Sequence, residues 1–105
     1  MDTHPFEVVV TESPEGARFE LVGRMDFATV AQFRQAMIRA VQKEWPNVAL
    51  DFARLEYIDS SAMGNLLYWR GILQEHQRAI TLMNCDGAVL KAFKVGGFHK
   101  LFEMR

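Results

Sequence analysis

The stretch Asp51-Phe52-Ala53-Arg54-Leu55-Glu56-Tyr57-Ile58-Asp59-Ser60-Ser61-Ala62-Met63-Gly64 decides how the rest of this chain is read. Val48, Leu50 and Phe52 alternate with Ala49 and Asp51, which predicts a short strand. The pattern loosens from Ala53 to Ile58, which predicts a connection. Asp59-Ser60-Ser61 then offers three N-cap residue types directly before Met63, Leu66, Leu67, Trp69, Ile72 and Leu73, whose spacing gives a broad apolar helical face. A helix is therefore expected to start at the serines, with hydroxyls exposed where a strand-derived loop becomes a helix. Gly64 falls in the first turns of that helix, where Gly costs about 1 kcal/mol relative to Ala. Its presence points to close backbone approach by another element.

Upstream, Phe6 to Thr11 is a Val-rich run, and Ser13-Pro14-Glu15-Gly16 supplies turn chemistry before a second alternating run through Phe19, Leu21 and Gly23. The two runs predict a hairpin. Thr29 with Gln32 three residues later forms a capping-box pattern, after which Val30, Phe33, Met37 and Val41 recur at helical spacing until Trp45-Pro46 stops the helix. Downstream, Ala79 to Met83 is another β-type run. Asp86 can cap a helix carrying Val89, Leu90 and Phe93, which ends at Gly96-Gly97. Phe98 to Met104 is apolar but too short to assign.

The order strand, strand, helix, strand, helix, strand, helix predicts an α/β domain with right-handed crossovers and a partly parallel, mixed sheet of four to five strands, on which three to four helices pack. One domain accounts for all 105 residues. Phe33, Met37, Leu66, Trp69 and Phe93 read as core, because their spacing is helical.

Composition narrows the function. The net charge is −1 and no block of Lys or Arg occurs, so the electrostatic footprint of a nucleic-acid or anionic-membrane binder is missing. A protein partner fits better. Charged residues interrupt every hydrophobic stretch, which argues against membrane insertion, and the N-terminus lacks a charged segment followed by an apolar signal core. The cytoplasm is the expected location. The single cysteine, Cys85, cannot form an internal disulfide and reads as a small buried hydrophobe. No phosphate-binding loop, H-E-x-x-H pair or G-x-S-x-G elbow is present. His4, His76 and His99 lie far apart without ligand spacing, so neither a metal, a cofactor nor an enzymatic activity is expected.

The segment Ile58-Asp59-Ser60-Ser61-Ala62-Met63-Gly64, preceded by Asp51-Phe52, resembles the signature of the STAS family, named for sulfate transporters and anti-sigma-factor antagonists. In that signature an aliphatic strand and a short loop lead to Asp-Ser-Ser-Gly-hydrophobic-Gly at the head of a helix. Gly23-Arg24-Met25-Asp26 with Thr29 resembles the family's Gly-x-hydrophobic-Asp segment, and Val89, Phe93 and Gly97-Phe98 resemble its final helix and turn. The resemblance spans nearly the whole chain and implies a single STAS domain over residues 1–105.

It also implies a function. In anti-sigma-factor antagonists of this family, the serine after the signature Asp, here Ser60, is phosphorylated by a partner that is both serine protein kinase and anti-sigma factor. The unphosphorylated form holds that partner, the phosphorylated form releases it, and a PPM-type phosphatase restores the cycle. Asp26, Asp59, Ser61, Ala62, Met63 and Gly64 are then the phosphosite loop and partner interface. Ser61 is expected to cap the helix or shape the loop, and Asp26 and Asp59 either orient the partner or cap turns. The domain is expected to be a monomer or weak dimer. Other single-domain STAS proteins are accessory subunits of ABC-type lipid transporters, which bind the ATPase without a phosphorylation cycle. Two residues depart from the pattern. Ala62 replaces the usual Gly and adds a methyl group beside the phosphoacceptor, while Arg24 and Phe27 make the loop at Asp26 less acidic and more apolar.

Overall fold

In a computed structural model, residues 6–105 are described. They form β1 (Phe6–Ser13), β2 (Gly16–Met25), α1 (Val30–Lys43), β3 (Asn47–Ile58), α2 (Ser60–Glu75), β4 (Ala79–Met83), α3 (Gly87–Val95), a 3-10 turn (Phe98–Lys100) and β5 (Glu103–Met104). The strands lie in the order β1-β2-β3-β4-β5. The β1–β2 hairpin is antiparallel and every other pairing is parallel, so the mixed sheet read from the sequence is present.

One face of the sheet is apolar. Val8 pairs with Leu21 and Val10 with Phe19 across β1 and β2, and Phe19 pairs with Leu50, which pairs with Leu82. Onto this face pack Phe33, Met37 and Ala40 of α1, Leu66, Trp69 and Leu73 of α2, and Val89 and Phe93 of α3. All five side chains assigned to the core from helical spacing are buried. The alternate residues on the strands, among them Glu7, Thr11, Arg18 and Glu103, are exposed and form the open face of a two-layer structure.

β3 corrects one reading of the sequence. Residues 53–58 are not a connection but the second half of a twelve-residue strand. While β2 advances from Glu20 to Val22, β3 advances from Asp51 to Arg54, and a second shift follows between Gly23 and Arg24. Each extra residue in β3 is a bulge, which turns the next side chain to the other face. The buried positions therefore become Phe52, Leu55 and Ile58, a spacing of three that a period of two does not reveal.

The C-terminal segment, unassigned from sequence, is tied down by aromatic packing. Phe93 meets Phe52 edge-on at 5.2 Å and stacks on Phe98 at 5.0 Å, and Phe98 stacks on Phe102 at 5.3 Å. This places Glu103 and Met104 beside Thr81 and Leu82 of β4. Gly16 is also dictated by geometry, since a Cβ there would lie 2.0 Å from the carbonyl oxygen of Asn47. The Thr29–Gln32 capping box does not form. Thr29 occupies the N-cap position, but its hydroxyl is engaged within the preceding turn, and the Gln32 amide donates to the Phe6 carbonyl at 3.3 Å. Asp86 likewise holds the N-cap position of α3 without a side-chain cap bond.

Asp51 is the charged residue that the open face buries, at 1% exposure. Its Oδ2 accepts two bonds from the Arg18 guanidinium, and its Oδ1 accepts from the Ala53 amide and from Asn84 Nδ2, both at 3.0 Å. It thereby ties β2, β3 and the exit of β4 together. Burial by itself pushes this carboxyl up. The Ala53 N–H, the Asn84 amide and the Arg18 guanidinium outweigh it and hold the group below its ordinary value. A lowered carboxyl stabilises the fold above the unfolded-state value, about pH 4, and that contribution is lost as pH falls through the folded-state value. Asp51→Ala removes the buried acceptor shared by Arg18, the Ala53 N–H and Asn84, and is expected to cost about 1–2 kcal/mol at pH 7 in a denaturant titration. Asp51→Asn should lose less stability than the wild type between pH 5 and 3, as read by acid-denaturation curves.

Candidate functional site

Parallel pairing of β2 with β3 brings their C-terminal ends together, with Met25 beside Ile58. The turn after β2 and the helix after β3 therefore leave the sheet side by side, and Asp59 joins them. Its backbone N–H donates to the Met25 carbonyl at 3.2 Å. One carboxylate oxygen, Oδ1, accepts from the Ala62 N–H at 2.9 Å and caps α2, while Oδ2 accepts from the Phe27 N–H at 3.0 Å. The cap is thus Asp59, not Ser61. Ser61 is half-buried, and its carbonyl accepts a 3.4 Å bond from Asn65 Nδ2.

Asp26 organises the other wall. Its Oδ1 accepts from the N–H groups of Ala28 at 3.0 Å and Thr29 at 3.2 Å, and its own N–H donates to Thr29 Oγ1 at 2.9 Å. The Thr29 hydroxyl in turn donates to the Arg24 carbonyl. Arg24 lies 4.0 Å from Asp26 Oδ2, with its guanidinium 4.2 Å from the ring centre of Tyr57. Both aspartates therefore serve as caps, Asp59 of a helix and Asp26 of a turn, and in doing so they place two carboxylates at one end of the sheet.

Ser60, the first residue of α2, is exposed, and so is Gly64 one turn later. Ala62 is fully buried within the core cluster. Met63 is partly buried against the core, and its Cε lies where a Cβ on Gly96 would meet it at 3.0 Å. The reading of Gly64 as a point of close approach within the fold is also corrected, since a Cβ there would have nothing within 4 Å. Phe27 was not among the expected site residues, yet it stands 80% exposed beside Asp59. A lone Phe in a turn gives no sequence signal that separates a surface position from a core one.

The STAS_2 family, described as "Mlab, STAS domain", matches residues 8–103. The chain belongs to the STAS domain family. A STAS-domain containing protein of Pseudomonas aeruginosa (strain UCBPP-PA14) is 33% identical over 85 residues, which span 81% of this chain and 83% of that protein. An anti-sigma factor antagonist from Mycobacterium paratuberculosis shares the fold with a TM-score of 0.85 at 17% identity, over 94% of this chain and 84% of its own. SpoIIAA, an anti-sigma factor antagonist, is similar in its unphosphorylated form (TM-score 0.72, 25% identity, 95% of this chain and 86% of its own). In its phosphorylated form, as a Bacillus cell-fate determinant, it gives a TM-score of 0.71 at 23% identity, over 95% of this chain and 90% of its own.

Elsewhere in this STAS domain the chemistry is sparse. His76 follows α2, His99 lies in the 3-10 turn, and His4 is outside the described residues. Among the described residues no group of three or more His, Cys, Asp or Glu could hold a metal, and no helix is long and apolar enough to cross a membrane. Cys85 is half-buried, and burial, with Asp86 and Asp51 nearby, pushes its thiol up to about 11, so it is a poor nucleophile at neutral pH. A hollow of about 440 Å³ lies on the open face, lined by Arg18, Ala49, Thr81 and Met83 among others, and includes none of residues 59–64.

These placements separate the serines from their neighbours energetically. Asp59→Ala removes the cap of α2 and the anchor of the Phe27 amide, and is expected to lower the unfolding free energy by about 1–2 kcal/mol. Ser61→Ala should change it by less than about 0.5 kcal/mol. Gly64→Ala should raise it by up to about 1 kcal/mol, because the new methyl meets no neighbour and the helix gains propensity. Urea titrations of the three variants check this order.

Proposed function

We propose that this STAS domain is an anti-sigma-factor antagonist of a bacterial partner-switching pathway, a cytoplasmic binding protein and not an enzyme, gated by phosphorylation of Ser60. The observation that carries the reading is the exposed Ser60 hydroxyl at the first position of α2, directly after the capping Asp59, in a fold shared with SpoIIAA in both its phosphorylation states. The partner is a serine protein kinase that is also an anti-sigma factor, and a PPM-type phosphatase reverses the modification.

The physics of that position favours a switch that leaves the fold intact. A phosphoserine carries about −1.5 to −2 charges at neutral pH, and a helix N-terminus tolerates an anion because its N–H groups and macrodipole point toward it. The cost falls on the complex. A phosphate beside the Asp59 and Asp26 carboxylates concentrates negative charge on a surface that must be desolvated when a partner docks. Unphosphorylated Ser60 carries no such charge, and Gly64 one turn along leaves the helix surface low enough for close contact.

Peptide mass spectrometry of the protein from its native cells should find phosphate on Ser60. Ser60→Ala should hold the kinase constitutively, and Ser60→Asp should lose it, both with unchanged circular dichroism and cooperative melting. Phosphate on Ser61 alone, or a Ser60→Asp variant that still binds the kinase, would overturn the assignment.

A further inference from the structure

The turn between β2 and α1 has its backbone donors occupied and presents an aromatic ring to solvent. Five consecutive N–H groups are satisfied there: Asp26 by Thr29 Oγ1, Phe27 by Asp59 Oδ2, Ala28 and Thr29 by Asp26 Oδ1, and Val30 by the Asp26 carbonyl at 2.9 Å. A turn with its donors occupied in this way has little backbone freedom left to fold its side chain back. The Phe27 ring nevertheless stays 80% exposed, in a chain whose other Phe residues are buried. An exposed, pre-ordered aromatic loses little entropy on docking and gains the full transfer of its ring from water.

Its place on the surface is fixed by the same carboxylate that starts α2. Asp59 Oδ2 holds the Phe27 amide, and the next residue is Ser60. From Ser60 the outward side of α2 continues at helical spacing through Gly64 to Leu67, 40% exposed, and Tyr68, 59% exposed. Apolar groups thus lie on both sides of the serine, with a residue lacking a side chain between them. This is the arrangement of an interface core, in which a few buried aromatic anchors supply most of the affinity and nearby charge decides whether docking occurs.

We infer that Phe27 is the affinity anchor of this domain, inserting into an apolar pocket on the kinase partner, while Ser60 gates the contact. The inference rests on the proposed partner-switching function and adds the chemistry of the partner: its surface facing Ser60 carries a hydrophobic pocket sized for a phenyl ring. The phosphorylation state of Ser60 sets when binding occurs, and the ring sets which partner is bound.

The test uses the intact protein and, as probe, the purified kinase defined by its ATP-dependent phosphorylation of Ser60. Calorimetric titration of that kinase with Phe27→Ala should show affinity weakened by about 30-fold or more, the scale of a hot-spot residue. Phe27→Leu should recover part of the loss. Val9→Ala, an apolar truncation on the open sheet face, should bind as the wild type does. Because the ring is exposed, Phe27→Ala should melt at the wild-type temperature, so a folding defect does not enter. If Phe27→Ala binds within twofold of wild type while Ser60→Asp does not bind, the anchor is refuted and the switch stands. If neither substitution alters binding, or no kinase modifies Ser60, the partner-switching function fails and the anchor fails with it.

Discussion

The parallel pairing of β2 with β3 is the constraint on which the rest of this molecule depends. It places Phe19 against Leu50 in the middle of the core and Met25 against Ile58 at the edge, so one alignment sets both the packing and the position of the site. Parallel strands deliver their C-terminal ends to the same side of a sheet, and the segments that follow emerge as neighbours. Here those segments are the turn Asp26–Thr29 and the first residues of α2. The two extra residues in β3 complete the alignment, because they let a strand of twelve residues match one of ten and still finish level with it.

On that frame, polar groups define the site more than apolar ones do. Asp59 caps a helix with one oxygen and fastens a turn from another part of the chain with the other, and Asp26 closes the turn itself. Carboxylates used in this way have structural duties that fix their positions, and their charge is then available at the surface without further adjustment. The result is a corner in which the carboxylate of Asp59 caps α2 and holds the Phe27 amide directly before the exposed Ser60, with Arg24 beside Asp26. Asp51 does comparable work away from this corner, pinning Arg18 and Asn84 across the open face.

Much of this was legible in the sequence. The hairpin, the three α-helices, the start of α2 at the serines and the buried faces of those helices follow from periodicity and turn residues, which are local signals. Readings failed where a side chain had a choice of partner. Thr29 and Gln32 match a capping box, but the Thr29 hydroxyl bonds the Asp26 N–H and the Arg24 carbonyl, and the Gln32 amide donates to the Phe6 carbonyl. Asp59 and Ser61 are both competent caps, and the bond to Phe27, 32 residues away, selects Asp59. Residues 53–58 read as a connection because bulges replace alternation with a spacing of three.

The sequence by itself determined the hairpin, the three helices and the α/β order, the family signature and the serine on which the proposed switch turns. These depend on residues near one another in the chain. Tertiary structure alone decided which of the signature residues face solvent, with Ala62 turned inward and Gly64 outward, and that the Phe27 N–H is held by the carboxylate of Asp59, the residue before Ser60. The physical reason is that exposure and hydrogen-bond choice are set by what the sheet register brings alongside, and register joins parts of the chain that local patterns cannot connect.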